Sequence, residues 1–140
     1  MDAHELNSVL KADPCLKHYV WGVFPRDQVP KTLLPGGYVV NTDNARGPGL
    51  HWIALWVQPS RIDFFDSFGH VPEYYGWTFS MLTLCNAQQF QSNESSVCGA
   101  YCIYFLYHRC QGRTMEDILT DFSSDRYSND RIVSEFISRM

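Results

Sequence analysis

From Ala100 to Tyr107 the chain reads AYCIYFLY, a run with no face suited to water. Polar, turn-forming residues (Ser92, Asn93, Glu94, Ser95, Ser96) precede it, and helix-compatible residues carry it on to Cys110. A segment that is apolar all round and longer than an ordinary strand belongs inside a core, so a buried helix over 98–110 is predicted, with the remaining elements packed around it.

Cys98 sits at the first turn of that helix. Unpaired backbone N–H groups and the positive end of the helix dipole favour a thiolate there, and the thiolate is the nucleophilic form. Gly99 leaves room for a substrate backbone to approach, and Gln91, upstream on the incoming loop, can aim a side-chain N–H at a developing oxyanion. A cysteine before a helix is more often simple packing, so a nucleophile needs a base.

The hairpin formed by LHWIALWV (50–57) and RIDFFD (61–66) offers one. With the shortest turn, centred between Gln58 and Pro59, Val57 faces Ser60 and His51 faces Asp66. Opposed Cβ atoms in an antiparallel pair lie about 5 Å apart, which sets an imidazole beside a carboxylate at the open end of the hairpin. Trp52 can cover the imidazole or wall a substrate cleft, although a tryptophan on a central strand is usually core. His4, His18, His70 and His108 face no carboxylate by any simple pairing, and Cys102, one turn after Cys98, reads as small core packing.

Elsewhere, residues 2–12 read as a short helix stopped by Asp13-Pro14, and the Pro- and aromatic-rich stretch to Gly36 as an irregular segment draped over the core. Residues 37–42 read as a buried strand, 71–80 as a helix or an irregular aromatic segment, and 81–85 as another short strand. Two further helices are expected, one capped by Thr114 and one by Ser128 or Asn129. With 45% hydrophobic and 19% charged residues, the chain suits one domain over 1–140.

A net charge of −4, and no Lys/Arg run, give no basic face for nucleic acid. Five cysteines without CxxC spacing, and no signal peptide, fit free thiols in a reducing, intracellular compartment. A zinc site from Cys98, Cys102, His108 and Cys110 fails because one helical stretch cannot converge them, so no metal is expected. No apolar run reaches the roughly 20 residues of a membrane span.

Taken together, Tyr19–Phe24, VVNT at 39–42, GLHWIALWV at 49–57, FFDSFG at 64–69, QSNESSVCGAYCIYFL at 91–106 and a closing amphipathic helix resemble the adenovirus-type cysteine endopeptidases, the adenain family, found in adenovirus-like viruses and related DNA transposons. The resemblance implies an α+β fold, with a mixed central β-sheet packed by helices and a buried central helix bearing the nucleophilic cysteine. It implies His51 as general base, Asp66 as orienting carboxylate, Cys98 as nucleophile, and Gln91 with the Cys98 N–H as oxyanion donors. Substrates would be viral capsid and core precursors, cut during virion maturation at motifs containing glycine, in the virion and the infected-cell nucleus, by a monomer.

Family members are basic and are stimulated by DNA and by a short viral peptide that can disulfide-bond near the position of Cys85. This chain is acidic and shorter between Asp66 and Gln91, carries Asp66 where adenovirus enzymes mostly have Glu, and stops at Met140. No cofactor is required for the chemistry, DNA stimulation is not expected, and the activating peptide stays open. Open too are an isopeptidase of the SUMO/ubiquitin type, which shares the order His, Asp, Gln, Cys, an acyltransferase, and a non-catalytic capsid-associated binding module.

Overall fold

The computed structural model describes residues 1–47 and 49–140. In chain order the elements are α1 (Ala3–Ala12), α2 (Pro14–Tyr19), β1 (Val20–Phe24), β2 (Gly36–Asn41), β3 (Trp52–Val57), β4 (Ile62–Phe65), β5 (Thr83–Cys85), α3 (Cys98–Cys110), α4 (Met115–Leu119) and α5 (Arg126–Ser138). The strands form one mixed sheet in the order β1-β2-β3-β4-β5, parallel at both edges and antiparallel in the middle. The class is α+β.

Period-two alternation assigns the two faces of the sheet. Val39, Ala54 and Phe65 point toward the helices, where α3 lies buried and Phe105 stacks on Phe65 with centroids 4.7 Å apart. Tyr38, Val40, Ile53, Leu55, Val57, Ile62 and Phe64 point the other way, covered by Phe24 at the end of β1 and by Val29, Leu33, Trp77 and Phe79 from irregular segments. A sheet buried on both faces explains why β3 is apolar at nearly every position. Helix α3 is the centre of the helical layer, with Tyr101 through Leu106 all buried.

Several boundaries differ from the sequence expectation. Asp13-Pro14 ends α1 but starts α2 at once: the Asp13 carboxylate accepts from Leu16 N at 2.9 Å, and Pro14 occupies the first turn, where its missing N–H costs nothing. Residues 20–24 are a strand, not an irregular drape. A register shift at Gly22 turns Trp21 outward, where its Nε1 donates to Pro35 O, and this breaks the alternation that would mark the strand in sequence. Helix α5 is capped by Asp125, not by Ser128 or Asn129. Asn129 is instead fully buried, bonding Ser123 and Phe90 O.

The turn of the β3–β4 hairpin is centred one residue later than assumed, between Pro59 and Ser60, which shifts the register by two. Gln58 and Arg61 exchange backbone hydrogen bonds, and Val57 pairs with Ile62. Continued past the strand ends, this register puts Phe68 opposite His51 and makes Asp66 its diagonal neighbour. A slip of two residues keeps every side chain on its original face, so His51 and Asp66 still converge.

Candidate active site

His51 directly precedes β3, and its position is fixed by the loop before it. Asn41 Oδ1 accepts from Asp43 N at 2.8 Å and Leu50 N at 3.1 Å, and Thr42 N donates to His51 O at 2.9 Å. The ring stacks on Phe68, with centroids 4.6 Å apart, and is 7% exposed.

Asp66, wholly buried, directly follows β4. Its carboxylate accepts four hydrogen bonds: from His51 Nε2 at 2.6 Å and Phe68 N at 2.9 Å on Oδ1, and from the Tyr75 hydroxyl at 2.5 Å and His70 N at 3.2 Å on Oδ2. Its backbone is held by Asn86, whose amide both accepts from Asp66 N and donates to Asp66 O. Burial disfavours the charge on Asp66, but the His51, Tyr75 and Phe68 donors prevail and hold its carboxyl below the usual range. An ionised Asp66 can only accept, so Nε2 of His51 carries a proton and Nδ1 is left for the thiol.

Cys98 opens α3, near enough to the imidazole for thiol and ring to shift each other. Burial pushes the thiol up, but the His51 bond and charge, with the N–H groups of Trp52 and Gly99, bring it below its ordinary value. The same pairing acts on His51. Burial lowers it, yet the bonds and charges of Asp66 and Cys98 outweigh this and raise it to about 9. Both shifts favour the thiolate–imidazolium form of the pair, beside an anchored carboxylate.

Gln91 is buried on the loop into α3, but its amide is turned elsewhere. Oε1 accepts from Ser67 Oγ at 2.6 Å, while Nε2 donates to the Ser95 carbonyl and hydroxyl, each at 3.1 Å. The Cys98 N–H lies at the start of α3, which no side chain caps. Gln91 Nε2 can turn to another acceptor only by giving up its bonds to Ser95.

The remaining sequence candidates divide. Trp52 lines a cleft of about 530 Å³ together with Met1, Val23, Asn41, Asp43 and Cys98, and its Nε1 donates to Met1 O at 3.0 Å. Gly99 does not open space for a substrate: it is buried, and a Cβ there would lie 3.2 Å from both Leu6 Cδ2 and Met1 Cβ, so its role is the close seating of α3 on α1. Cys85 ends the edge strand β5, half-buried, where burial and the Glu73 charge push its thiol up. Cys102 is core.

Sequence reasoning missed Tyr75, Phe68 and Asn86. Tyr75 lies on a short 3-10 turn, Pro72–Tyr75, and nothing in its local pattern points back to Asp66. The Phe68 stack would have followed from the correct hairpin register.

No family model matches the chain. It is 34% identical over 89 residues to the protease of Bovine adenovirus C serotype 10, covering 49% of this chain and 45% of that protein. Its fold matches a crystal structure of the ASFV pS273R protease at a TM-score of 0.62 and 15% identity, over 94% of this chain and 65% of that one. The chain thus spans about half the length of the adenovirus relative and two thirds of the structural one. It resembles the adenovirus-type proteases, as its motifs imply, and has the α+β fold of the second.

Proposed function

We propose that this chain carries the active site of a cysteine endopeptidase that cuts viral precursor proteins. The observation that carries the proposal is the buried His51–Asp66 hydrogen bond, with every acceptor position of Asp66 filled and the Cys98 thiol near enough to the imidazole for each to shift the other. In this reading the Cys98 thiolate forms a C–S bond to the scissile carbonyl carbon, and the electron pair moves to the oxygen, held by the Cys98 N–H. Collapse breaks the C–N bond, and the departing amine takes the proton of His51. Water then attacks the thioester, returning a proton to the imidazole and releasing the acid and the thiolate.

Gln91 would add the second oxyanion donor once its side chain leaves Ser95. Capsid and core precursors, cut in the virion or infected-cell nucleus, are the substrates that the adenovirus likeness suggests. An activating peptide linked at Cys85 would have to overcome a thiol held in its neutral, slower-exchanging form.

Incubation of the protein with candidate capsid precursors, followed by intact-mass analysis, tests the reading. Cleavage lost in Cys98→Ala, with an acyl adduct trapped on Cys98 by a slow substrate, is the expected result. Absence of cleavage with every precursor, with and without candidate viral peptides, would contradict it. Cleavage of SUMO or ubiquitin conjugates in preference to precursors would move the assignment to an isopeptidase.

A further inference from the structure

A second groove, of about 390 Å³, is lined by His51. Leu50, 72% exposed, lines both this groove and the cleft beside Cys98 and is the ridge they share. The groove's other walls include Phe68, Tyr74, His70 and Arg26. No acidic side chain lines it, since Asp66 lies wholly buried behind the imidazole. The cleft beside Cys98, by contrast, is walled by Asp2 and Asp43.

Arg26 lines this groove with its guanidinium held in place. Its guanidinium carbon stands 4.8 Å from the centroid of Trp77, and one terminal nitrogen would be 2.8 Å from a Cβ at Gly76, so ring and glycine hold it from two sides. It makes no ion pair among the described residues. The neighbouring carboxylates are already engaged by backbone: Asp27 Oδ1 accepts from Ala45 N, and Asp43 accepts from Asn44 N and Gly49 N. Beside it, the His70 ring stacks on Tyr74 with centroids 3.8 Å apart. In a chain of net charge −4, this is a local cationic lip next to the reacting imidazole.

The direction of the chemistry fixes which half of a substrate meets that lip. His51 must hand its proton to the departing amine, so residues following the scissile bond lie on the imidazole's side, away from Cys98. We infer that the groove of Arg26 and His70 is a subsite for an acidic side chain within the first two residues after the cleaved bond. This rests on the protease reading for its orientation, but the affinity of the groove for a carboxylate does not. A planar guanidinium with free donors suits a carboxylate in two-point contact.

Blocked Gly-containing peptides that differ only in Asp, Gln or Lys at those two positions provide the test. Binding to Cys98→Ala is measured by calorimetry, and turnover by the wild-type protein. The Asp peptide is expected to bind about tenfold tighter than Gln and more tightly still than Lys, with the advantage falling at high salt. Arg26→Glu should reverse the order in favour of Lys, a gain that misfolding cannot produce. If Arg26→Glu does not fold, the wild-type order and its salt dependence decide. Cleavage without any preference for acid would overturn the subsite and leave the protease. Acid-selective binding without cleavage would uphold the subsite and sink the protease, and equal binding of all three peptides would overturn the inference outright.

Discussion

Tyr75→Phe isolates the strongest support that Asp66 receives outside the His51 pair. The substitution keeps the ring, which stacks 6.3 Å from His51, and removes only the hydroxyl that donates to Oδ2 at 2.5 Å. A hydrogen bond to a charged acceptor contributes about 1.5–3 kcal/mol, and the half-buried position of Tyr75 argues for the lower end, about 1.5 kcal/mol. With an unfolding entropy of roughly 2.1 cal/mol/K per residue, that loss lowers Tm by about 5 °C at pH 7. The pH dependence separates this cause from packing. Because Asp66 is held below its ordinary value, its stabilising effect is present above the unfolded carboxyl value near 3.8 and disappears as pH falls through the lower folded value. Without the hydroxyl Asp66 is depressed less, so the gap between wild type and Tyr75→Phe should narrow as urea unfolding is repeated from pH 7 toward pH 3. A gap of equal size across that range would assign the loss to packing and refute the role given to the carboxylate.

Three other outcomes are expected. The alkaline limb of kcat/KM should fall near pH 9, where His51 loses the proton that the leaving amine needs; a limb near pH 7 would show that the imidazole is not held charged. Gly99→Ala should cost about 1–2 kcal/mol in urea unfolding, because its Cβ presses on Leu6 and Met1, while kcat/KM per folded molecule stays within about threefold; lost turnover in a fully stable variant would return Gly99 to the substrate site. Asp63→Asn should destabilise by about 3–5 kcal/mol by leaving Arg109, 3.2 Å from the wholly buried carboxylate, without its counter-charge beneath the sheet; a loss under about 1 kcal/mol would show the pair is dispensable.

What was legible in the sequence follows from how local each signal is. Helix α3 announces itself because a segment apolar on all faces has few places to go, and the caps at Thr114 and the pattern of β3 are similarly local. His51 and Asp66 were paired correctly from a register that was wrong by two residues, since that error preserves the face. An error of one would have separated them. Strand β1 escaped because a shift at Gly22 interrupts its alternation, and α2 because Asp13-Pro14 reads as a stop when it is both a stop and a start. Gly99 was read as open space, whereas the helix it belongs to is seated on α1, a tertiary contact that no local pattern records. The Tyr75 and Asn86 bonds to Asp66 span 9 and 20 residues, and the turning of Gln91 toward Ser95 depends on a loop conformation.

The most direct test of the thiolate–imidazolium pair is alkylation by iodoacetamide across pH, read cysteine by cysteine by mass spectrometry, in wild type and His51→Ala. Burial pushes Cys102 well up, burial and Glu73 push Cys85 up, and burial with the adjoining Cys15 does the same for Cys110. Cys98 should therefore react at lower pH than Cys85, Cys102 and Cys110, and should lose that advantage when His51 is replaced. A Cys98 that labels no faster than the other cysteines, or whose pH profile is unchanged in His51→Ala, would contradict the pairing on which the proposed chemistry rests.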